Sequence, residues 1–257
     1  MYQILAYLKF LWKSTNQHGV HSPFVYGLVT RCFYDKRSYS GYKIISEYRK
    51  SLLRKEQPIE VTDFGAGSRV FNSLERKISA IAKTAGITPK RARLLNRLVR
   101  YLKVKSALEL GTSLGIGSVA MAAGNKVRLT TLEGCPNTAK TAQEEIQAFE
   151  LGNIISRVGE FGELLQDPAL LDSSYDLIYF DGNHQKQPTL AYFHQLLPVA
   201  NNDTVFIFDD IHWSREMTEA WEEIKAHPSV RVSIDTFFWG FVFFRKEQEK
   251  EHFRIRL

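Results

Sequence analysis

The 257-residue chain has few cysteines and no long apolar run. Its two cysteines, Cys32 and Cys135, are far apart in sequence, which excludes a disulfide-built fold and favours a reducing cytoplasm. No apolar stretch approaches the roughly 20 residues that a membrane-spanning helix needs. The opening MYQILAYLKFLWK lacks a basic start and a small-residue cleavage site, so we do not interpret it as a signal peptide. The composition, 44% hydrophobic and 24% charged, predicts a globular protein.

Acidic residues are scarce in the first part of the chain. Residues 1–105 contain 21 Lys and Arg against 6 Asp and Glu, whereas residues 106–257 contain 13 against 22. We predict a basic, mostly helical N-terminal extension over 1–105, which serves as a lid or in substrate or dimer contacts, and a core domain over 106–257. Attraction between two oppositely charged parts of one protein explains the asymmetry equally well.

The core sequence alternates β-rich runs with helical stretches. YDLIYFD and DTVFIFDD are typical of buried parallel strands, and NTAKTAQEEIQAFELG is typical of a helix. VRVSIDTFFWGFVFFRK predicts two strands folded together around Gly240. This alternation predicts an α/β fold, a doubly wound Rossmann-like sheet of seven strands whose last pair is antiparallel.

One glycine-rich turn, ALELGTSLGIGS at 107–118, has the context of a nucleoside-binding loop. Such a loop needs a strand before it, a helix after it, and a carboxylate at the end of the next strand that accepts hydrogen bonds from ribose hydroxyls. The helical stretch GSVAMAA follows the turn, and Glu133 ends the next strand 24 positions after Glu109. We therefore predict the cofactor site here.

A second glycine-rich turn, VTDFGAGS at 61–68, lacks this context. A basic helical stretch follows it, and no acidic strand end comes next. We interpret it as a tight turn in which Asp63 or Ser68 caps a helix.

Carboxylates also end two later strands. Asp181 follows YDLIYF, with His184 three residues beyond it, and Asp209 and Asp210 end TVFIFDD. Because the carboxyl ends of parallel strands face the ligand crevice of a doubly wound sheet, we expect three carboxylates beside the cofactor. Oxygen ligands of this kind suit Mg²⁺ or another divalent cation. Helix capping by Asp209 or Asp210 and a structural role for His184 are the alternatives.

The spacing of the glycines after the first carboxylate resembles motif I of class I S-adenosylmethionine (SAM)-dependent methyltransferases, on Glu109, Gly111, Gly115 and Gly117. With the later carboxylates, residues 90–257 resemble catechol O-methyltransferase and its bacterial relatives, including the sugar O-methyltransferases of macrolide assembly. HGVHSPFVYGLV and DDIHWSREMTEAW are similar to a bacterial branch of these enzymes. One departure is Gly115-Ile116-Gly117, with Ser118 one place later, where many relatives have G-x-S.

The resemblance implies SAM as the cofactor and a small-molecule hydroxyl as the acceptor. It implies that Asp181, Asp209 and Asp210 bind a divalent cation, and that His184, with Asp181, takes part in catalysis as the base. Glu160 and Phe161 follow the third strand, where adenine packs in this fold, or they simply begin a surface helix. The residues assigned to the cofactor are Glu109, Gly111, Thr112, Ser113, Gly115, Gly117, Ser118, Glu133, Gly134, Glu160, Phe161 and Asp181.

The basic N-terminal part keeps other functions open. TPKRARLLNRLVRYLKVK favours phosphate contacts in a nucleic-acid methyltransferase or binding module. Against this, Asp-Gly-Asn-His follows the fourth strand, not the Asn/Asp-Pro-Pro-aromatic motif of amino-directed base methyltransferases. A nicotinamide-dependent oxidoreductase is disfavoured by the glycine spacing.

The first helix, within MYQILAYLKFLWK, is apolar, aromatic and basic. Such a helix can lie on an anionic membrane. We favour instead its burial against the core or against the second subunit of a homodimer. The basic helices of the extension would suit an anionic acceptor.

Overall fold

The computed structural model describes residues 1–62 and 73–257. The turn predicted at 63–68 lies outside the described residues. The described helices are α1 (Tyr2–Lys13), α2 (Pro23–Leu28), α3 (Gly41–Leu53), α4 (Ile78–Thr84), α5 (Pro89–Tyr101), α6 (Ile116–Ala122), α7 (Pro136–Ala148), α8 (Phe161–Leu164), α9 (Pro168–Leu171), α10 (Lys186–Leu196) and α11 (Arg215–Ala226). The described strands are β1 (Pro58–Glu60), β2 (Glu75–Lys77), β3 (Ser106–Leu110), β4 (Arg128–Glu133), β5 (Ile154–Val158), β6 (Leu177–Phe180), β7 (Val205–Asp209), β8 (Val232–Asp235), β9 (Trp239–Phe243) and β10 (Glu251–Arg254).

The chain divides into two compact units. The central unit is Lys36–Asp167, and the terminal unit joins Met1–Asp35 to Pro168–Leu257. This division differs from the one that the charge asymmetry predicts at residue 105, which stays a prediction.

In the central unit, three parallel strands lie in the order β3, β4, β5. Glu109 pairs with Thr131, and Glu133 pairs with Val158, so the carboxyl ends of these strands lie side by side. β1 and β2 form a separate antiparallel pair. The expectation of helix throughout the region around β2 is wrong, because β2 finds a hydrogen-bonding partner in β1.

Helix α5 fixes the helix that follows the glycine loop. Thr88 caps α5 by accepting from the backbone N–H of Arg91 at 3.3 Å, and Pro89 occupies its first turn. The amide of Asn96, buried in α5, donates to the carbonyls of Ala120 at 2.9 Å and Ala123 at 2.8 Å. These two bonds satisfy carbonyls at the C-terminal end of α6, which would otherwise lack partners. They therefore hold α6 in position.

In the terminal unit, five strands lie in the order β10, β8, β9, β7, β6. β6 is parallel to β7, and β9 is antiparallel to both β7 and β8. The α/β class and the antiparallel strand near the end of the chain are therefore confirmed. β3 to β10 make eight strands where seven were predicted, because β10 adds a parallel partner to β8.

Gly240 does not lie in the turn between β8 and β9, so that part of the prediction is wrong. The turn is at 236–238, where the backbone N–H of Thr236 donates to the carbonyl of Trp239 at 2.9 Å. Gly240 lies inside β9 beneath the ring of Trp221, and a Cβ atom there would come within 2.6 Å of Trp221 Cζ3. The glycine is needed for the close packing of α11 on β9.

Helix α1 is buried on one side only. Phe10 is buried, whereas Ile4, Leu8 and Trp12 are exposed. The expected burial of this helix against the core therefore holds for one face. None of the described helices combines the length and the apolar character that a membrane crossing requires.

Candidate cofactor and acceptor sites

The loop after β3 turns back over the end of β4. Gly111 and Gly115 have φ values of +107° and +78°, a region that favours glycine, and Ser113 has φ +48°. The backbone N–H of Gly111 donates to the carbonyl of Leu132 at 2.9 Å. A Cβ atom on Gly115 would lie 2.7 Å from Tyr48 Oη. Gly115 is therefore required both by its backbone conformation and by lack of space.

Glu133 lies at the end of β4 with its carboxylate beside this loop. Its Oε2 accepts from the backbone N–H of Ser113 at 2.7 Å, and its Oε1 accepts from that of Cys135 at 2.9 Å. Burial raises the pKa of Glu133, and hydrogen bonds from the backbone N–H groups of Cys135, Ser113 and Gly134 oppose this rise. Each carboxylate oxygen keeps a second lone pair, so Glu133 can still accept from two hydroxyls.

Glu109 is a fully buried carboxyl group in β3. Its Oε2 accepts from the hydroxyls of Ser118 and Thr131, the latter at 2.7 Å. Its Oε1 has no hydrogen-bond partner among the described residues. Burial raises the pKa of Glu109 to about 7; the two hydroxyls oppose the rise, and the nearby Glu133 adds to it. A buried oxygen without a partner is costly, which makes Glu109 Oε1 a candidate contact for a ligand.

The hydroxyl protons of two predicted cofactor residues are used within the protein. Ser118 donates to Glu109. Thr131 also uses its proton on Glu109, so Thr112 donates to Thr131 across 2.6 Å. Ser118 thus holds the buried carboxyl of Glu109 directly, and Thr112 supports it through Thr131.

The chain after β5 lies next to Glu133. The backbone N–H of Gly159 donates to the carbonyl of Glu133 at 2.9 Å, and Gly159 has φ +153°. Glu160 is the residue before α8, and Phe161 begins that helix. Glu160 and Phe161 therefore lie at the start of a helix, and contact of this pair with adenine stays a prediction. Glu160 and Phe161 nevertheless directly follow Gly159, which is hydrogen-bonded to the end of β4.

Sequence reasoning missed Tyr48, which contacts the glycine loop from α3. Its hydroxyl donates to the carbonyl of Leu114 at 2.8 Å, and its ring packs on Phe149. Burial raises the pKa of Tyr48, and the carboxylates of Glu145 and Glu109 add to the rise. The helical spacing of the apolar residues in GYKIISEYRKSLL predicts burial of Tyr48, but it does not predict the hydrogen bond to Leu114.

In the terminal unit, the loop after β6 has an uncommon backbone conformation. Asn183 and His184 have φ values of +72° and +47°. Non-glycine residues in this region cost free energy and are concentrated at functional sites. His184 Nε2 lies 3.9 Å from Asp181 Oδ1. The buried Oδ1 of Asn183 has no hydrogen-bond partner among the described residues, and sequence reasoning missed this residue.

Asp209 and Asp210 follow β7, also in the terminal unit. Asp209 is buried, and its Oδ1 accepts from the backbone N–H of Asp210 at 2.9 Å. Asp210 has φ +51°. Helix α11 is capped by Ser214, which accepts from the backbone N–H of Met217 at 3.0 Å. The alternative in which an aspartate caps this helix is therefore wrong.

The three aspartates do not form a metal cluster in the part of the chain that the structure describes. No group of three or more His, Cys, Asp and Glu side chains there is placed to hold one ion. A divalent cation on Asp181, Asp209 and Asp210 stays a prediction.

Comparison with known proteins gives a family match that includes most of the glycine loop. Residues 108–211 match a family described as "Methyltransferase domain". The chain is similar to the catechol O-methyltransferase of Niastella koreensis, with 29% identity over 131 residues, 49% of this chain and 58% of that protein. The chain spans about half the length of the curated relatives that it matches.

Two solved structures share the fold. An O-methyltransferase from Bacillus cereus in complex with S-adenosylhomocysteine (SAH) has 19% identity and a TM-score of 0.56, covering 82% of this chain and 94% of that one. The SAH-bound methyltransferase of Podospora anserina has 13% identity and a TM-score of 0.61, covering 88% and 97%.

Residues 108–211 therefore match a methyltransferase domain, and the chain shares the fold of a solved methyltransferase. Among methyltransferases, the chain is similar to the O-methyltransferases. The predicted Rossmann-like α/β fold is confirmed, and the predicted resemblance to methyltransferases is confirmed over residues 108–211.

Proposed function

We propose that this protein transfers the methyl group of SAM to a hydroxyl group of a small molecule. The observation that carries the proposal is the position of Glu133. Its carboxylate accepts from the backbone of the glycine loop at Ser113 and keeps lone pairs for a ribose diol. The small-molecule acceptor follows from the O-methyltransferases to which the chain is similar.

The residues around the glycine loop fit SAM. Glu133 would accept hydrogen bonds from the two ribose hydroxyls of SAM. The unpartnered Oε1 of Glu109 would accept one from the amino group of its methionine part. The left-handed glycines Gly111 and Gly115 let the backbone approach the ligand closely. Phe161 supplies an apolar surface for the adenine. Bound SAM supplies a methyl group already activated by its sulfonium. The protein therefore needs chiefly to align the acceptor hydroxyl with this methyl group and to remove the hydroxyl proton.

The acceptor hydroxyl must lose its proton as it attacks, and we assign this proton to His184. A neutral imidazole has a ring nitrogen that can act as a general base. The carboxylate of Asp181 lies 3.9 Å away, beyond hydrogen-bond distance but close enough to favour the imidazolium that forms. Asp181 is thus a charge-stabilising partner of His184.

A divalent cation bound by Asp181, Asp209 and Asp210, as the sequence predicts, would take part in activating the acceptor hydroxyl, so its removal should lower turnover at least about tenfold. The measurement is SAH formation from SAM and a hydroxyl acceptor, after dialysis against EDTA and again with added Mg²⁺. Activity that is lost with EDTA and restored by Mg²⁺ would support an ion at Asp181, Asp209 and Asp210, whereas activity that EDTA leaves unchanged would contradict it.

Glu133→Ala should weaken SAH binding roughly 30-fold or more, because two hydrogen bonds from the ribose to a carboxylate are lost. Isothermal titration calorimetry measures the effect, since SAH contains the same ribose as SAM. The matched control is Glu144→Ala, which removes an exposed glutamate from α7 and should leave the dissociation constant unchanged.

Two results would contradict the cofactor site. One is the absence of SAH binding by the wild type, and the other is equal binding by wild type and Glu133→Ala. Thermal unfolding of each variant separates a lost contact from a lost fold. The anionic character of the acceptor, a homodimer and the cytoplasmic location are further predictions of the sequence.

A further inference from the structure

We propose that helix α1 docks this protein onto an anionic lipid surface. Four large apolar side chains lie on one side of the helix and face solvent: Ile4 is 66% exposed, Leu5 61%, Leu8 57% and Trp12 84%. Their spacing of four and three residues places them on one continuous face, which we call the α1 stripe. Single exposed apolar residues are ordinary, but a contiguous group of this kind marks an interaction surface.

The opposite face of α1 fixes the direction in which the stripe points. Phe10 is buried, and its ring centroid lies 5.7 Å from that of Phe237. Tyr7 meets the same ring edge-on at 4.8 Å. The hydroxyl of Tyr2 donates to Thr218 Oγ1 at 2.7 Å. The helix is thus already folded and oriented, so binding through the stripe costs no folding of the helix.

The segment after α1 is held as well. The backbone N–H of Thr15 donates to the carbonyl of Arg254 at 2.9 Å, and Thr15 forms a parallel bridge with Ile255. Both ends of α1 are therefore attached to the terminal unit. The stripe is a fixed part of its surface.

The charge beside the α1 stripe favours an anionic lipid surface over a second copy of this chain as its partner. Lys9 and Lys13 are exposed along one edge of it. Residues 1–34 contain no Asp or Glu, so two copies paired through their stripes would bring only positive charge together from this segment. An anionic lipid surface offers the opposite charge, and a helix with an apolar face, flanking lysines and a tryptophan suits the boundary between headgroups and acyl chains.

The geometry corresponds to a helix that lies on a membrane. α1 has 12 residues, which is about 18 Å and shorter than the hydrocarbon core. With one face committed to the protein, only the stripe is available to enter the lipid. A membrane-bound acceptor would then be collected from the surface.

The test is co-sedimentation of the full-length protein with vesicles of phosphatidylcholine alone or with about 30% phosphatidylglycerol. We expect at least tenfold tighter binding to the anionic vesicles than to phosphatidylcholine alone. High salt should remove this preference. The double variant Leu5→Glu/Leu8→Glu should bind at least tenfold more weakly. Lys9→Gln/Lys13→Gln should remove most of the preference for anionic vesicles.

The matched control is Leu53→Glu, which places the same charge on an exposed leucine of α3 and should leave vesicle binding within about twofold. Equal binding by the wild type and the stripe variant would overturn the proposal, as would equal binding to both vesicle types. Light scattering after size exclusion adds a third outcome, since a dimer that only the stripe variant loses would assign the stripe to a second copy. SAH affinity should be unchanged in every variant, so this test is independent of the methyltransferase assignment.

Discussion

Glu109→Gln should raise the free energy of unfolding, relative to the wild type, by about 3 kcal/mol more at pH 8 than at pH 4.5. Burial raises the pKa of Glu109 from 4.5 to about 7 in the folded protein. Between pH 4.5 and about 7, Glu109 is ionised in the unfolded chain but still protonated in the folded protein. The free energy of unfolding of the wild type therefore falls as the pH rises. Above pH 7 the folded state holds a buried charge and the loss is complete, whereas glutamine does not titrate.

Urea unfolding of both proteins at the two pH values measures this difference. Glu144→Gln, at an exposed position of α7, is the control and should behave as the wild type at both. A difference in stability for Glu109→Gln that does not depend on pH would show that the carboxyl group is not buried with a raised pKa. The same variant should bind SAH more weakly, since a group that is costly to the fold is kept where function needs it.

His184→Ala should lower kcat roughly 10²- to 10⁴-fold while leaving SAH affinity unchanged, because it removes the proposed base without touching the glycine loop. The measurement is initial-rate kinetics with a fixed hydroxyl acceptor, combined with SAH calorimetry. The loss should be smaller with an acceptor whose hydroxyl is already ionised at the assay pH. This dependence on the acceptor distinguishes a base from a residue that only shapes the loop.

His18→Ala is the control, because it removes an exposed imidazole from another part of the terminal unit. It should keep the wild-type rate. Wild-type turnover by His184→Ala would refute the role of His184, and the base would then have to be sought elsewhere. A parallel loss of SAH affinity would indicate that the loop after β6 had shifted.

Much of the geometry around the glycine loop could be predicted because its signals are local. An apolar run, a glycine turn and an acidic residue at the next strand end predict Glu109, Gly111 and Glu133 without knowledge of distant contacts. The parallel register of β3 and β4 then brings the end of one strand beside the loop of the other. The contact between Glu133 and Ser113 follows from that geometry.

Other features could not be predicted because they depend on residues far apart in sequence. Gly240 has the sequence context of a turn, but the ring of Trp221 is what requires it. Tyr48 has the spacing of an ordinary core residue, yet its hydroxyl satisfies a carbonyl of the glycine loop. Strands β2 and β10 are short, and each exists because a partner strand supplies its hydrogen bonds.

The sequence by itself determined the alternation of strands and helices in the core and the residues at the ends of β3 and β4, since periodicity and turn chemistry act over a few residues. Only the tertiary structure decided that the hydroxyl of Ser118 is used on Glu109, that Glu109 Oε1 lacks a partner among the described residues, and that one face of α1 points to solvent. Burial and hydrogen-bond pairing depend on which distant segments come into contact, and no local pattern records those contacts.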